Sequence, residues 1–151
     1  MIRVQEEAFD PFDESADFAA GRSDAGALAT FVGSVRDLAS GAGVSALELE
    51  HYPGFTEVQI ERIEEDARSR FDVLDTLVIH RYGRMDPGEP IVLVAALSRH
   101  RREALQCVDY LMDRLKTEAP FWKKEHRASG AAEWIEPREE DRAARKRWEQ
   151  S

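Results

Sequence analysis

One cysteine in 151 residues leaves no partner for an internal disulfide and no basis for a multi-cysteine metal site. No apolar run approaches the roughly 20 residues that a bilayer-spanning helix needs. The N-terminus carries Arg3 and Glu6-Glu7 and lacks the apolar centre of a signal peptide. Positive charge is scarce: 21 Lys and Arg stand against 30 Asp and Glu, and the net charge of −9 argues against general nucleic-acid binding. There is no internal repeat and no low-complexity linker. Ser40-Gly-Ala-Gly43 is glycine-rich but lacks the lysine and spacing of a phosphate-binding P-loop. What remains is a chain that is 42% hydrophobic and 34% charged, expected to form a single domain over residues 1–151 with a cytoplasmic home.

The apolar residues fall into short runs that alternate between strand and helix spacing. Ile2 and Val4 mark a short strand; Asp10-Pro11 turns the chain into a short helix that Gly21 stops, packed outside the main sheet. Residues 27–33 read as a well-buried strand, and 44–52 alternate with Leu47, Leu49 and His51 on one face. These two stretches predict a hairpin whose long tip, about 34–43, carries Arg36 and Asp37. Thr56 and Gln59 have capping-box spacing ahead of a helix over about 56–70. Residues 74–80 form a strand, 83–90 a connection, and 91–97 a central strand covered on both faces. Ser98 can cap a long second helix that Pro120 ends. An extended segment follows, then a short strand at 132–135 and a final helix from Arg138, acidic first and basic last. The fold class is α+β with a largely antiparallel sheet.

Against the acidic background, two basic spots stand out. Arg99-His100-Arg101-Arg102 crowds a helix N-terminus, where the dipole disfavours cations but free N–H groups favour an anion. Neighbouring carboxylates such as Glu103 offer the blander account of that charge. Around the second spot, Leu105, Val108, Leu111, Met112 and Leu115 form a buried helical stripe with Lys116 at its edge. Beyond Pro120, alternation puts Phe121 and Lys123 on one face and Trp122 and Lys124 on the other, so Lys116 and Lys123 can converge on one pocket. An amphipathic helix followed by a solvated basic turn would look the same. Cys107, beside the stripe, reads as a small buried hydrophobe rather than a nucleophile. His51 and His80 lack a third placed ligand and read as structural.

Five segments taken together resemble the catalytic (large) subunit family of molybdopterin synthase: GALATFVGSVR (26–36), LELEHYPGFT (47–56), VIHRYG (78–83), SRHR (98–101) and MDRLKTEAPFWKKE (112–125). The resemblance implies an α/β hammerhead-type fold and a dimer. Each subunit of that dimer binds a small ubiquitin-like sulfur carrier, so the assembly is a heterotetramer. It implies transfer of sulfur from the carrier's C-terminal thiocarboxylate to cyclic pyranopterin monophosphate, giving the dithiolene of molybdopterin, with no metal or bound cofactor. By the same resemblance Lys116 and Lys123 match the family's two active-site lysines. His100 and Arg101 match its anion-binding residues, and Arg36 a substrate contact. Lys124 and Glu125 are expected to line the same pocket. Ser34 departs from the family pattern, which often has a basic residue two before the arginine, so the substrate is expected to meet one fewer charge there.

Two other readings use the same residues. A non-catalytic phosphate- or nucleotide-binding module would employ residues 98–102 but has no need for Lys116. An interaction protein would dock an acidic partner on the basic spots without turnover. Neither accounts for the joint presence of the HYPG and APFWKKE segments.

Overall fold

The structure, a computed structural model, describes residues 1–36, 44–127, 129–130, 132–135 and 138–150. In chain order the elements are β1 (Ile2–Gln5), α1 (Pro11–Ala19), β2 (Ala27–Ser34), β3 (Val44–His51), α2 (Phe55–Arg70), β4 (Asp75–Arg81), β5 (Gly83–Met85), β6 (Pro90–Ser98), α3 (Arg101–Glu118), β7 (Phe121–Arg127), β8 (Ala132–Ile135) and α4 (Glu139–Lys146). A 3-10 turn over Arg147–Gln150 follows. The strands form two four-stranded sheets, ordered β1-β4-β6-β2 and β5-β3-β7-β8. Only the β1–β4 pair is parallel, so the α+β, largely antiparallel expectation holds.

The first sheet is built around β6, buried from Val92 to Ser98 between β4 and β2. One face of it, with Val92, Val94, Ala96 and Val78, packs on Ile60, Ile63 and Ala67 of α2 and on Ala104, Cys107, Leu111 and Leu115 of α3. The other face, Leu93 and Ala95 with Leu77 and Ile79, is covered by Phe9 and by Phe18 of α1. Each fully buried aliphatic side chain contributes about 1.5–3 kcal/mol relative to exposure. The second sheet joins the first through a smaller cluster of Val35, Leu47, Leu49 and Met85, closed by Tyr82, Ile91 and Phe121. The His80 ring stacks on Phe121 at 3.9 Å between ring centres, bridging the two sheets.

The predicted hairpin between β2 and β3 does not form: β2 pairs with β6 in the first sheet, whereas β3 pairs with β5 and β7 in the second. The reason lies in patterning. β2 is apolar on both faces and suits a sheet covered on two sides; β3 alternates leucine with glutamate and suits one that is wet on one side. Most of the predicted tip, residues 37–43, lies outside the described residues. As an edge strand β2 is also less buried than expected, with Leu28 and Phe31 each 42% exposed. The connection expected over 83–90 begins with β5. It is a three-residue strand reached directly from β4, and the bend uses Gly83 at φ 83°.

Helix starts follow local chemistry. The Asp10 carboxylate accepts from the Phe12 and Asp13 amides, with Pro11 in the first turn of α1. For α2 the capping pair lies two residues before the expected one: Gly54 at φ 86° is the cap, and its N–H donates to Glu57 at 2.6 Å. Thr56 is instead fully buried, its hydroxyl donating to the Tyr52 carbonyl. Ser98 does not cap α3 either; His100 holds that position, and the Ser98 hydroxyl accepts from its amide at 3.3 Å while donating to the Asp72 carbonyl.

Candidate active site

The β2 end, the start of β6 and the inner face of β3–β7 meet at one cleft. It is lined by Ser34, Val35, Arg36, Leu47, Ile91, Lys123 and Glu125 and measures about 60 Å³. Val35 is pinned by two backbone hydrogen bonds, its N–H to Glu89 and its carbonyl from Gly88, which fixes where Arg36 leaves the sheet. On β7 the strand alternation sets the chemistry. Lys123 lies opposite Leu49 and Glu125 opposite Leu47, so both residues turn inward with the leucines.

Lys123 is half-buried, and Glu125 is 3% exposed. Burial is the main force pushing the Lys123 ammonium below the usual lysine range; Glu125 pulls it back, and the charges of Arg138, Lys116 and Arg36 push it down further. Two cations, Arg36 and Lys123, therefore line the cleft beside one buried carboxylate, and the charges of Arg138 and Lys116 reach Lys123 from outside it. Such a constellation suits a small anion, or negative charge that develops during a reaction. Lys116, in the last turn of α3, is half-exposed and holds its Nζ 3.2 Å from Asp141 of α4. α4 in turn is held to α3 by Arg145 on Glu118, and the following turn by Arg147 on Asp109 and Asp113 and by the Trp148 indole N–H on Asp113.

The cleft brings Lys123 together with Arg36, Ser34 and Glu125, whereas Lys116 does not line it and only its charge reaches Lys123. Lys124 is not part of it. Its side chain lies on the opposite face of β7, with Nζ 5.2 Å above the Trp134 ring, because neighbouring strand residues cannot face the same way. His100 and Arg101 are not part of it either. They are exposed at the N-terminus of α3, and the rise of the helix puts Arg101 roughly 22 Å from Lys116 along its axis. Arg99 there pairs with Asp72 at 3.7 Å rather than with Glu103. Arg138, whose charge reaches Lys123, reads in the sequence only as the start of a charged helix, and nothing local signals that α4 folds back over α3. Cys107 is buried, and its thiol is pushed up to about 12, first by desolvation and then by Glu64, so it is an inert packing group. Among the described residues no group of three or more His, Cys, Asp or Glu side chains is placed to hold a metal, and no helix is long and apolar enough to cross a membrane.

Fold and cleft together define a two-sheet α+β protein whose cleft is lined by a half-buried lysine and a buried glutamate. A family model described as MoaE protein matches residues 4–118. The chain is 52% identical over 147 residues to the molybdopterin synthase catalytic subunit of Ralstonia nicotianae, covering 97% of this chain and 83% of that protein. The catalytic subunit of Cereibacter sphaeroides is also 52% identical over 147 residues, covering 97% and 99%. Among solved structures, the molybdopterin biosynthesis MoaE protein of Burkholderia ambifaria superposes with a TM-score of 0.83 at 46% identity, covering 99% of this chain and 97% of that one. Molybdopterin synthase from Staphylococcus aureus superposes with a TM-score of 0.81 at 26% identity, covering 89% and 96%. The chain belongs to the MoaE family, the catalytic subunits of molybdopterin synthase, an enzyme that transfers sulfur in molybdenum cofactor biosynthesis.

Proposed function

We propose that this chain, acting in the cytoplasm as one domain, moves sulfur from the C-terminal thiocarboxylate of a small ubiquitin-like carrier onto cyclic pyranopterin monophosphate, using Lys116 and Lys123 as the catalytic pair. The observation that carries the assignment is the desolvated Lys123 ammonium held among Lys116, Arg36 and Arg138 with Glu125 buried beside it. Attack by a thiocarboxylate on the pterin side chain develops negative charge and requires proton transfers. Ammonium groups in a partly dry cleft stabilise the first and perform the second.

Lys116 is the principal acid/base group. Its partner Asp141 keeps the side chain on the α4 side of the cleft until substrate competes for it. Lys123 orients substrate and carrier tail and stabilises the developing charge, and Glu125 sets how much positive charge it carries. Arg36 and Ser34 line the wall where the pterin enters. A cleft of about 60 Å³ cannot enclose a ligand that needs roughly 300 Å³ or more. The missing walls and the phosphate contact belong to a second copy in the homodimer. Its His100 and Arg101 lie at the far end of α3 from its own Lys116 and are free to serve the neighbouring site. With two carriers the assembly is a heterotetramer.

The test is reconstitution with thiocarboxylated carrier and cyclic pyranopterin monophosphate, with the dithiolene product measured by mass. Lys116→Ala and Lys123→Ala should each lower the rate by about 10²-fold or more, with carrier binding retained. Full activity in Lys116→Ala would overturn its assignment.

A further inference from the structure

Arg36, on the wall of the cleft, leaves the first sheet where its ladder has already slipped. The β2–β6 register shifts between Gly33 and Ser34, and Ser34 lies opposite Pro90. The backbone one residue before Arg36 is held instead by the turn between β5 and β6. The Val35 N–H donates to the Glu89 carbonyl at 3.0 Å, and the Val35 carbonyl accepts from the Gly88 N–H at 2.8 Å. Gly88 makes that approach at φ 90°, a conformation that favours glycine. Val35 is buried and packs with Leu47, Leu49 and Met85, so its side chain fixes depth while the two bonds fix direction.

Glu89 commits all of its polar groups to this turn. Besides the carbonyl on Val35, its N–H donates to the Asp86 carbonyl at 3.1 Å, and one carboxylate oxygen accepts from the Asp86 N–H at 2.5 Å. The other oxygen meets the Arg81 guanidinium at 3.4 Å. Arg81 is only 6% exposed, and its Nε donates to the Glu6 carbonyl at 3.1 Å. The Asp86 N–H, opposed by desolvation and aided by Arg81, holds the Glu89 carboxyl below the usual carboxylate range. A guanidinium is costly to bury, and a turn that had only to reverse the chain needs no such anchor.

We propose that Glu89 is a positioning residue for the reaction: anchored on Arg81, it clamps the 86–89 turn to Val35 and so sets where the Arg36 guanidinium meets the bound pterin substrate. The inference deepens the function proposed above and rests on it. Glu89 does not line the cleft itself; Arg36 and Ser34 do. The direction of the effect separates this role from plain electrostatics. Removing a carboxylate near a cationic cleft would by charge alone strengthen its hold on an anion, whereas a misplaced Arg36 weakens that hold.

The experiment is a double-mutant cycle between Glu89→Ala and Arg36→Ala in the assembly reconstituted with carrier. Calorimetry with unmodified carrier supplies the affinity for cyclic pyranopterin monophosphate without turnover. Steady-state assays with thiocarboxylated carrier supply kcat and KM, and kcat/KM reads the same cycle where binding is too weak for calorimetry. Glu89→Ala should weaken pterin binding about tenfold and raise the KM for the pterin by a similar factor, with the KM for carrier unchanged. Once Arg36 is replaced, Glu89→Ala should change pterin affinity by less than about twofold. Glu89→Asp, which keeps both acceptor oxygens on a shorter stem, should recover part of the loss. Glu89→Gln, whose single amide oxygen has to serve two donors, should not. If Glu89→Ala does not fold, the Asp and Gln variants run the same cycle. Losses that add independently overturn the proposal, because a purely structural turn would act with or without the Arg36 guanidinium. So does a Glu89→Ala protein that binds the pterin as well as wild type or better. Wild-type protein that neither binds pterin nor forms product would remove the functional reading and this proposal with it, whereas an active wild type with an additive cycle removes the positioning role alone.

Discussion

The two sheets divide the labour of the molecule. In the first, β6 presents apolar side chains to both faces and is covered by α2 and α3 on one side and α1 on the other. In the second, β7 presents Lys123 and Glu125 to one face and Trp122 and Lys124 to the other, and the core beneath it is only a handful of residues. The first sheet is stabilised by what it removes from water. The second removes from water groups that resist it, a lysine ammonium and a glutamate, and so carries a desolvation cost that the first does not. Most of the buried apolar core and the desolvated cleft residues are thus on different sheets, and substitutions in the one should largely spare the other.

The comparison breaks most visibly at the centre of the first sheet. Leu93 is fully buried, and Leu93→Ala should cost about 2–5 kcal/mol in chemical denaturation. The rate per folded molecule should stay near wild type; a matching fall in that rate would show that the sheets are not separable. A smaller effect is expected where they touch. His80, stacked on Phe121 of the second sheet, is pushed down from 6.5 to about 4, mainly by burial, with the Arg81 carbonyl raising it and His51 lowering it. Because the fold favours the neutral ring, its stabilising effect is complete above pH 6.5 and is lost as pH falls from 6.5 through 4. The loss amounts to at most about 3 kcal/mol. A melting temperature that falls over this window in the wild type and falls much less in His80→Leu would place the acid-sensitive joint between the sheets. The smallest effect has the opposite sign. Burial and three neighbouring cations disfavour the Lys123 ammonium, so Lys123→Met should raise the melting temperature slightly at neutral pH while abolishing turnover. A lower melting temperature would mean that the lysine is structural.

Much of this was legible along the chain. The breaks at Pro11 and Pro120, the apolar run of β6 and the stripe of α3 appear in the sequence as they do in the fold, because each depends on local sterics or on periodicity. The capping of α2 was misplaced by two residues at its start: Gly54 at positive φ and Thr56 buried under Tyr52 are outcomes of the turn's geometry rather than of spacing. The hairpin failed for a broader reason. Two strands adjacent in sequence usually pair, yet a strand that is apolar on both faces and one that is apolar on one face have different partners to satisfy.

Within the site, the sequence by itself determined that Lys123 and Glu125 share a face, that Lys124 must point away, and that Lys116 rides the rim of an apolar helix. Periodicities of 2 and 3.6 leave no freedom there. Only the tertiary structure decided that β2 and β3 part into different sheets and that Arg36 comes down beside Lys123. The same is true of α4, which folds back to set Asp141 against Lys116 and bring the charge of Arg138 near Lys123. It also decided that His100 and Arg101, close in character to the other cations, stand a helix length away from them. Charge and spacing say which groups are able to act; long-range packing, which carries no local signature, says which of them meet.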